Sequence, residues 1–148
     1  MPGAFSDWQA LARFPFGDGP DLADELLDLI LIGKKHATCW SAAEGVKGTV
    51  AGGRWVVEDG QGRPRAVLET VALSQQRFDR VDADFAAAEG EGDRSLAYWR
   101  AAHQGYFTRN GGFTPGMLLW CERFDLIAIL PREDCPGIAG LATGSTLP

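Results

Sequence analysis

The run Gly33-Lys34-Lys35-His36-Ala37-Thr38-Cys39-Trp40 gathers amines, an imidazole, a hydroxyl, a thiol and an indole into one short segment. A threonine hydroxyl is a weak nucleophile until a neighbour removes its proton. A lysine can do so only if burial or a second positive charge lowers its pKa from about 10.4 toward about 7–8. Lys35 and Thr38 are therefore candidates as a pair, with Lys34 as the perturbing charge. The competing reading has both lysines complementing the negative end of the preceding helix and Thr38 as an ordinary strand residue.

A second group is Glu89-Gly90-Glu91-Gly92-Asp93, following Phe85-Ala86-Ala87-Ala88 and leading into Arg94-Ser95-Leu96. Glycines between acids let the chain bend so that a carboxylate can turn inward, where it can accept a proton or hold a lysine. The spacing is not that of a calcium loop, and Asp93 is also placed to cap the next helix. A third group is Tyr98-Trp99-Arg100-Ala101-Ala102-His103. Trp99 and His103 are four residues apart on a helix and so share a face; a histidine there is more often a hydrogen-bonded structural residue than a catalyst. Exposed in a cleft, Trp40 or Trp99 would be a platform on which a base stacks, each worth about 1–3 kcal/mol.

The elements that must hold these groups are legible in the apolar periodicity. Leu22, Leu26, Leu29 and Ile30 mark an amphipathic helix over Asp21 to Ile32, opened by Gly19-Pro20 and closed by Gly33. His36 to Trp40 is extended, and Glu44 to Gly53 is a glycine-rich connection. Arg54 to Glu58 and Arg65 to Leu73, joined across Asp59-Gly60-Gln61-Gly62-Arg63-Pro64, form a hairpin. Asp82 to Ala88 and Ser95 to about Thr108 are helices, the second carrying Leu96, Trp99, Ala102, His103 and Tyr106 along one face. Met117 to Phe124 and Leu126 to Leu130 are strands, or one strand bent at Asp125. Strands interleaved with few helices, without strict βαβ alternation, give an α+β domain on a small barrel-like sheet. It spans residues 1–130; the Gly-, Ala-, Thr- and Ser-rich stretch 131–148 is a tail.

Composition sets the outer limits. The chain has 148 residues, 14 Lys+Arg and 20 Asp+Glu, hence a formal net charge of −6 with histidines neutral. Forty-five per cent hydrophobic residues supply a real core. The acidic balance argues against a protein that coats duplex DNA, which needs many cationic phosphate contacts, and no apolar run approaches the ~20 residues that cross a bilayer. The N-terminal Met1 to Asp7 lacks the pattern of a secretory signal, so a cytoplasmic protein is expected. Cys39, Cys121 and Cys135 cannot all pair within one chain, and none has a metal-ligand spacing, so no metal is expected. Phosphate-loop, dinucleotide, nucleophile-elbow and zincin motifs are absent, and no cofactor is expected.

Taken in order, several segments resemble the ASCH family, a branch of the PUA-like superfamily. They are Phe16-Gly17-Asp18 with Leu22 to Leu27, then Gly33-x-Lys35-x-x-Thr38, then Phe85 to Leu96 with Trp99-Arg100 and His103, and finally Trp120-Cys121-Glu122-Arg123-Phe124. The match runs from about Trp8 to Ile129. It implies a PUA-like small β-barrel flanked by helices, with a cleft beside the Gly-x-Lys-x-x-Thr segment that accepts RNA. Small members of the family are amidohydrolases of acylated cytidines acting through a lysine, a threonine and a glutamate; others are associated with cleavage of single-stranded RNA. Lys35 and Thr38 match the first two roles, and Glu89 is preferred to Glu91 for the third.

Three functions follow as expectations. The first is binding and cleavage of single-stranded RNA, with Lys34, Lys35 and Arg100 on phosphate, Trp40 or Trp99 on a base, and His103 or Glu89 handling protons. The second is an amidohydrolase of N4-acylated cytidine or a related acylated amine, with Thr38 as nucleophile, Lys35 as its base and Glu89 positioning the lysine. The third is a non-catalytic module for RNA or a modified nucleoside.

Overall fold

The structure, a computed structural model, describes residues 8–131. The elements in chain order are β1 (Arg13–Pro15), α1 (Pro20–Leu31), β2 (Ala37–Ser41), β3 (Arg54–Glu58), β4 (Pro64–Arg77), α2 (Ala83–Glu89), α3 (Leu96–Arg109) and β5 (Leu118–Ile129). Single 3-10 turns lie at Trp8–Ala10, Ala42–Glu44 and Phe78–Arg80. The N-terminal heptapeptide and the expected tail beyond Pro131, with Cys135, lie outside the described residues.

Each expected element is present. α1 starts on Pro20, whose fixed φ suits a first helical turn, buries Ala23, Leu26, Leu27 and Ile30, and is followed by Gly33 at φ 83°. β3 and β4 form the hairpin, from Arg54 opposite Glu69 to Glu58 opposite Pro64, with a register shift at Val57/Glu58. The Asp59 carboxylate builds the turn by accepting from the backbone N–H groups of Gln61 and Arg63. β5 is one continuous strand through Asp125. β1 escaped the sequence reading because it is three residues long and ends in proline; it pairs parallel to β3 at the sheet edge, where proline is tolerated. The cap of α3 is Ser95, which accepts from the Tyr98 N–H, while Asp93 acts one step earlier by accepting from the Ser95 N–H.

The fold is α+β, as expected, with a mixed five-stranded sheet in the order β1-β3-β4-β5-β2. The expected barrel is corrected to an open sheet. Closure requires the two edge strands to hydrogen-bond to one another, and among the described residues β1 and β2 remain edges. The entry to β2 is instead taken by α2, through the His36 N–H donating to the Ala88 carbonyl at 2.7 Å.

Two compact units are interleaved along the chain. The first includes Arg54–Glu69 and the chain on either side of it up to Leu31 and from Leu126, and its core holds Trp8, Val56, Val67 and Leu130. The second is Ile32–Gly53 with Thr70–Asp125, and its core includes Phe78, Phe85, Trp99, Phe107 and Leu119. Every candidate functional residue belongs to the second unit.

Candidate functional site

The backbone brings Lys34-Lys35 against the C-terminal end of α2. Gly90 ends that helix at φ 74°, and a Cβ there would overlap the Lys34 carbonyl and approach the Lys35 Cα to 2.9 Å. Only glycine permits this contact. Lys35 is thereby directed inward: its Nζ lies 2.8 Å from Glu89 Oε1 and 2.7 Å from Glu91 Oε2. Lys35 and Glu89 are both buried, at 2% and 1% exposure. From α3, Trp99 donates its indole N–H to Glu89 Oε2 at 3.0 Å, and His103, one turn on, sets Nε2 3.5 Å from the same oxygen. The imidazole stacks on the Trp99 ring with centroids 4.4 Å apart, and its Nδ1 lies 2.9 Å from the Trp99 carbonyl.

The charges follow from this packing. Burial disfavours the Lys35 ammonium, but the Glu89 and Glu91 carboxylates outweigh it and hold its pKa well above that of an ordinary lysine. Burial pushes the Glu89 carboxyl up; Lys35 and then His103 more than reverse this, holding it well below the usual range. For His103, burial works against the imidazolium, and the Glu89 carboxylate overcomes it, raising the pKa. A proton on Nδ1 donated to the Trp99 carbonyl leaves Nε2 facing a carboxylate, so the ring meets both partners only when both nitrogens are protonated. Two cations then face two carboxylates. Cys39 also adjoins Glu89; burial first and that carboxylate second raise its pKa, keeping it a thiol.

The fold thus brings together Lys35, Glu89, Glu91, Trp99 and His103. Thr38 is set apart. Ala37 and Cys39 face the helix-side core, so strand alternation turns Thr38 to the opposite face, across from Glu122 in the register of β2 and β5. Glu122 is buried there and accepts from the Thr70 hydroxyl at 2.7 Å. Trp40 shares the Thr38 face, half-buried, with its indole N–H on the Gly45 carbonyl and the Lys47 Nζ 5.6 Å from the ring centroid. Lys34 and Arg100 are exposed. Trp99 does not offer a stacking platform in this arrangement, because its ring is buried at 2% exposure and its N–H is engaged.

Sequence reasoning gave no site role to Cys39 or Glu122 and did not single out Thr70. Alternation from Ala37 was the available signal for Cys39, whereas Thr70 and Glu122 meet only through strand pairing. Donor atoms of Cys39, Glu89 and His103 lie within 4.8 Å of one another, a sulfur, oxygen and nitrogen set suited to a zinc-like cation. The Lys35 ammonium on the same carboxylate opposes a cation there. As a chemical device the cluster is a charge-balanced lock, with Glu91, at 17% side-chain exposure, its more accessible acid.

The family profile described as "ASCH domain" matches residues 12–128. Among solved structures, the chain is similar to an ASCH domain from Lactobacillus crispatus, at 32% identity and TM-score 0.72 with 85% of each chain covered. It is also similar to a protein from Enterococcus faecalis, at 29% identity and TM-score 0.70, over 80% of this chain and 77% of that one. A mutant ASCH protein from Zymomonas mobilis, at 11% identity and TM-score 0.53 over 92% of this chain and 82% of that one, shares the fold. No curated protein matches the chain significantly.

Proposed function

This chain belongs to the ASCH domain family, a fold associated with RNA binding and hydrolase-like chemistry, and from that premise we propose that it binds single-stranded RNA. The cleft in this reading lies beside the Gly33-x-Lys35-x-x-Thr38 segment. The observation that carries it is the saturation of the buried cluster: Lys35 keeps its proton, and both Glu89 oxygens have donors. A lysine so held cannot take the proton of Thr38, and Thr38 lies on the other face of β2. The cluster then frames the site, while contact with ligand falls to the exposed Lys34 and Arg100 and to the half-buried Trp40. The test is binding of a short labelled oligouridylate across a salt series. Affinity should fall by about 0.7 logarithmic units per phosphate contact for each tenfold rise in salt; no binding at low salt would remove this reading.

One observation favours hydrolysis as the second reading. Glu91 stands between Gly90 and Gly92, both at positive φ, and is partly exposed while holding Lys35. A ligand that displaced Glu91 would uncover the Lys35 Nζ. Cleavage of single-stranded RNA, or hydrolysis of N4-acetylcytidine with Thr38, Lys35 and Glu89 in their family roles, would then be open to it. Incubating nuclease-free protein with each substrate decides the matter. Loss of N4-acetylcytidine hydrolysis in a Thr38→Val variant that melts like the wild type would establish the amidohydrolase, and loss of RNA cleavage in a likewise folded His103→Gln or Glu89→Gln would establish the nuclease; product retained in all three would remove the hydrolytic reading.

A further inference from the structure

A second group of cations in the same unit is arranged in the opposite way. Near the junction of β4, the Phe78–Arg80 turn and β5 lies an open pocket of about 140 Å³. Its apolar lining includes Val81, Phe85 and Cys121, and its polar lining includes Ser74, Gln76, Arg80 and Arg123. That volume is close to the roughly 150 Å³ of a cavity that holds a benzene ring, enough for one compact ligand group. Among the described residues no carboxylate comes within 4.0 Å of the Arg80 or Arg123 side-chain nitrogens. Asp82 also lines the pocket, but its Oδ1 accepts from the Phe85 N–H as the cap of α2. The Arg123 guanidinium lies 5.5 Å from the centroid of the Phe85 ring, within cation–π range of the pocket wall.

Elsewhere this acidic chain pairs its arginines readily. Arg13, Arg54, Arg63 and Arg65 all meet a carboxylate, and so does Arg77. Two arginines and one aspartate line this concavity, an excess of one positive charge, and an anion offsets that excess while meeting forked guanidinium donors. Serine and glutamine add neutral donors to the same lining. The pocket is also tied to the Lys35 cluster: Cys121 in its lining is the register partner of Cys39, and Phe85 is on the helix that carries Glu89.

We infer that this pocket is a phosphate-binding subsite, taking one phosphodiester of a single-stranded RNA between the guanidinium groups of Arg80 and Arg123. The RNA as carrier of that phosphate rests on the function proposed above; the anion site itself rests on the pocket. The experiment compares the full chain with the double variant Arg80→Gln/Arg123→Gln in two arms, a salt series with oligouridylate and a titration with inorganic phosphate read from arginine Nε–Hε resonances. The expected result is RNA binding whose salt slope falls by about 0.7 in the variant, together with arginine shifts on adding phosphate. Phosphate shifts without RNA binding would keep the anion site and remove the RNA reading. RNA binding with an unchanged slope would remove the subsite and keep the RNA reading, and neither response would remove both. Unchanged circular dichroism and melting in the variant confirm that a loss is local.

Discussion

The two units of this molecule treat positive charge differently. In the first, each described arginine meets an acid: Arg13 with Glu58, Arg54 with Glu69, and Arg63 and Arg65 with Asp59. The Arg13–Glu58 and Arg54–Glu69 pairs are partly exposed and screened, and such pairs are worth at most about 1 kcal/mol each, while Arg63 and Arg65 share the buried Asp59 carboxylate. The second holds the exposed pairs Lys47–Glu44 and Arg77–Asp79 and, beside them, charge at two extremes. Lys35 is sealed among Glu89, Glu91 and the stacked Trp99 and His103, whereas Arg80, Arg100 and Arg123 are exposed and, among the described residues, form no ion pair within 4.0 Å. Evenly paired charge serves the fold. Charge divided into a neutralised interior and an uncommitted surface is what a binding unit needs, since only unmatched cations attract an anionic ligand.

The comparison breaks most completely at Lys35. Lys35→Met leaves the Glu89 carboxylate buried without its main partner, and the protein should lose about 3–5 kcal/mol of stability by denaturant unfolding. The loss should grow as pH rises, because Glu89 can shed its charge only by protonation; a loss independent of pH would show that the lock is not electrostatic. Gly90→Ala comes next. The left-handed backbone alone costs about 1–2 kcal/mol, and overlap with the Lys34 carbonyl adds to it, so its melting temperature should fall clearly while Gly111→Ala, at φ 83° with open space around it, falls less.

His103 sharpens the comparison through pH. Its folded pKa is raised, so its contribution is fully present below the unfolded value of about 6.5 and is lost as pH rises through the folded value. The stability gap between the wild type and His103→Gln should therefore narrow on going from mildly acid to mildly alkaline solution, and a constant gap would assign His103 to packing alone. The smallest effect belongs to the surface: Arg100→Gln should change stability by less than about 0.5 kcal/mol yet weaken oligouridylate binding and reduce its salt slope. Equal binding by the variant would take Arg100 out of the contact set.

Much of this was readable in the sequence where the signal is local. The apolar repeat of α1, the hairpin around Asp59 and the two helices after Asp82 are set by periodicity, turn residues and caps. The meeting of Lys35 with the Glu-Gly-Glu turn was legible in outline, because the family pattern places both together; of the two contacts, that of Glu89 is the more buried. The charge state of Lys35 was not legible, since it depends on two carboxylates more than fifty residues away outweighing burial. The separation of Thr38 from the cluster hangs on which face Ala37 presents, and that is decided by the packing of β2 against α2 and β5. The open sheet escaped notice because edge pairing leaves no trace in strand periodicity.

The interleaving of the two units bears on how the chain must fold and how it can be altered. Their boundaries fall at Leu31/Ile32, Gly53/Arg54, Glu69/Thr70 and Asp125/Leu126, and the last two cut through β4 and β5. Neither unit is a continuous stretch that synthesis could finish and release before the other begins. Partners such as Cys39 and Cys121 wait for most of the chain to emerge, so contacts distant in sequence must form late, the pattern of slower folding. A nick or graft in either long strand would reach both units at once, leaving the Glu44–Gly53 connection and the loop before β5 as the natural places for insertions.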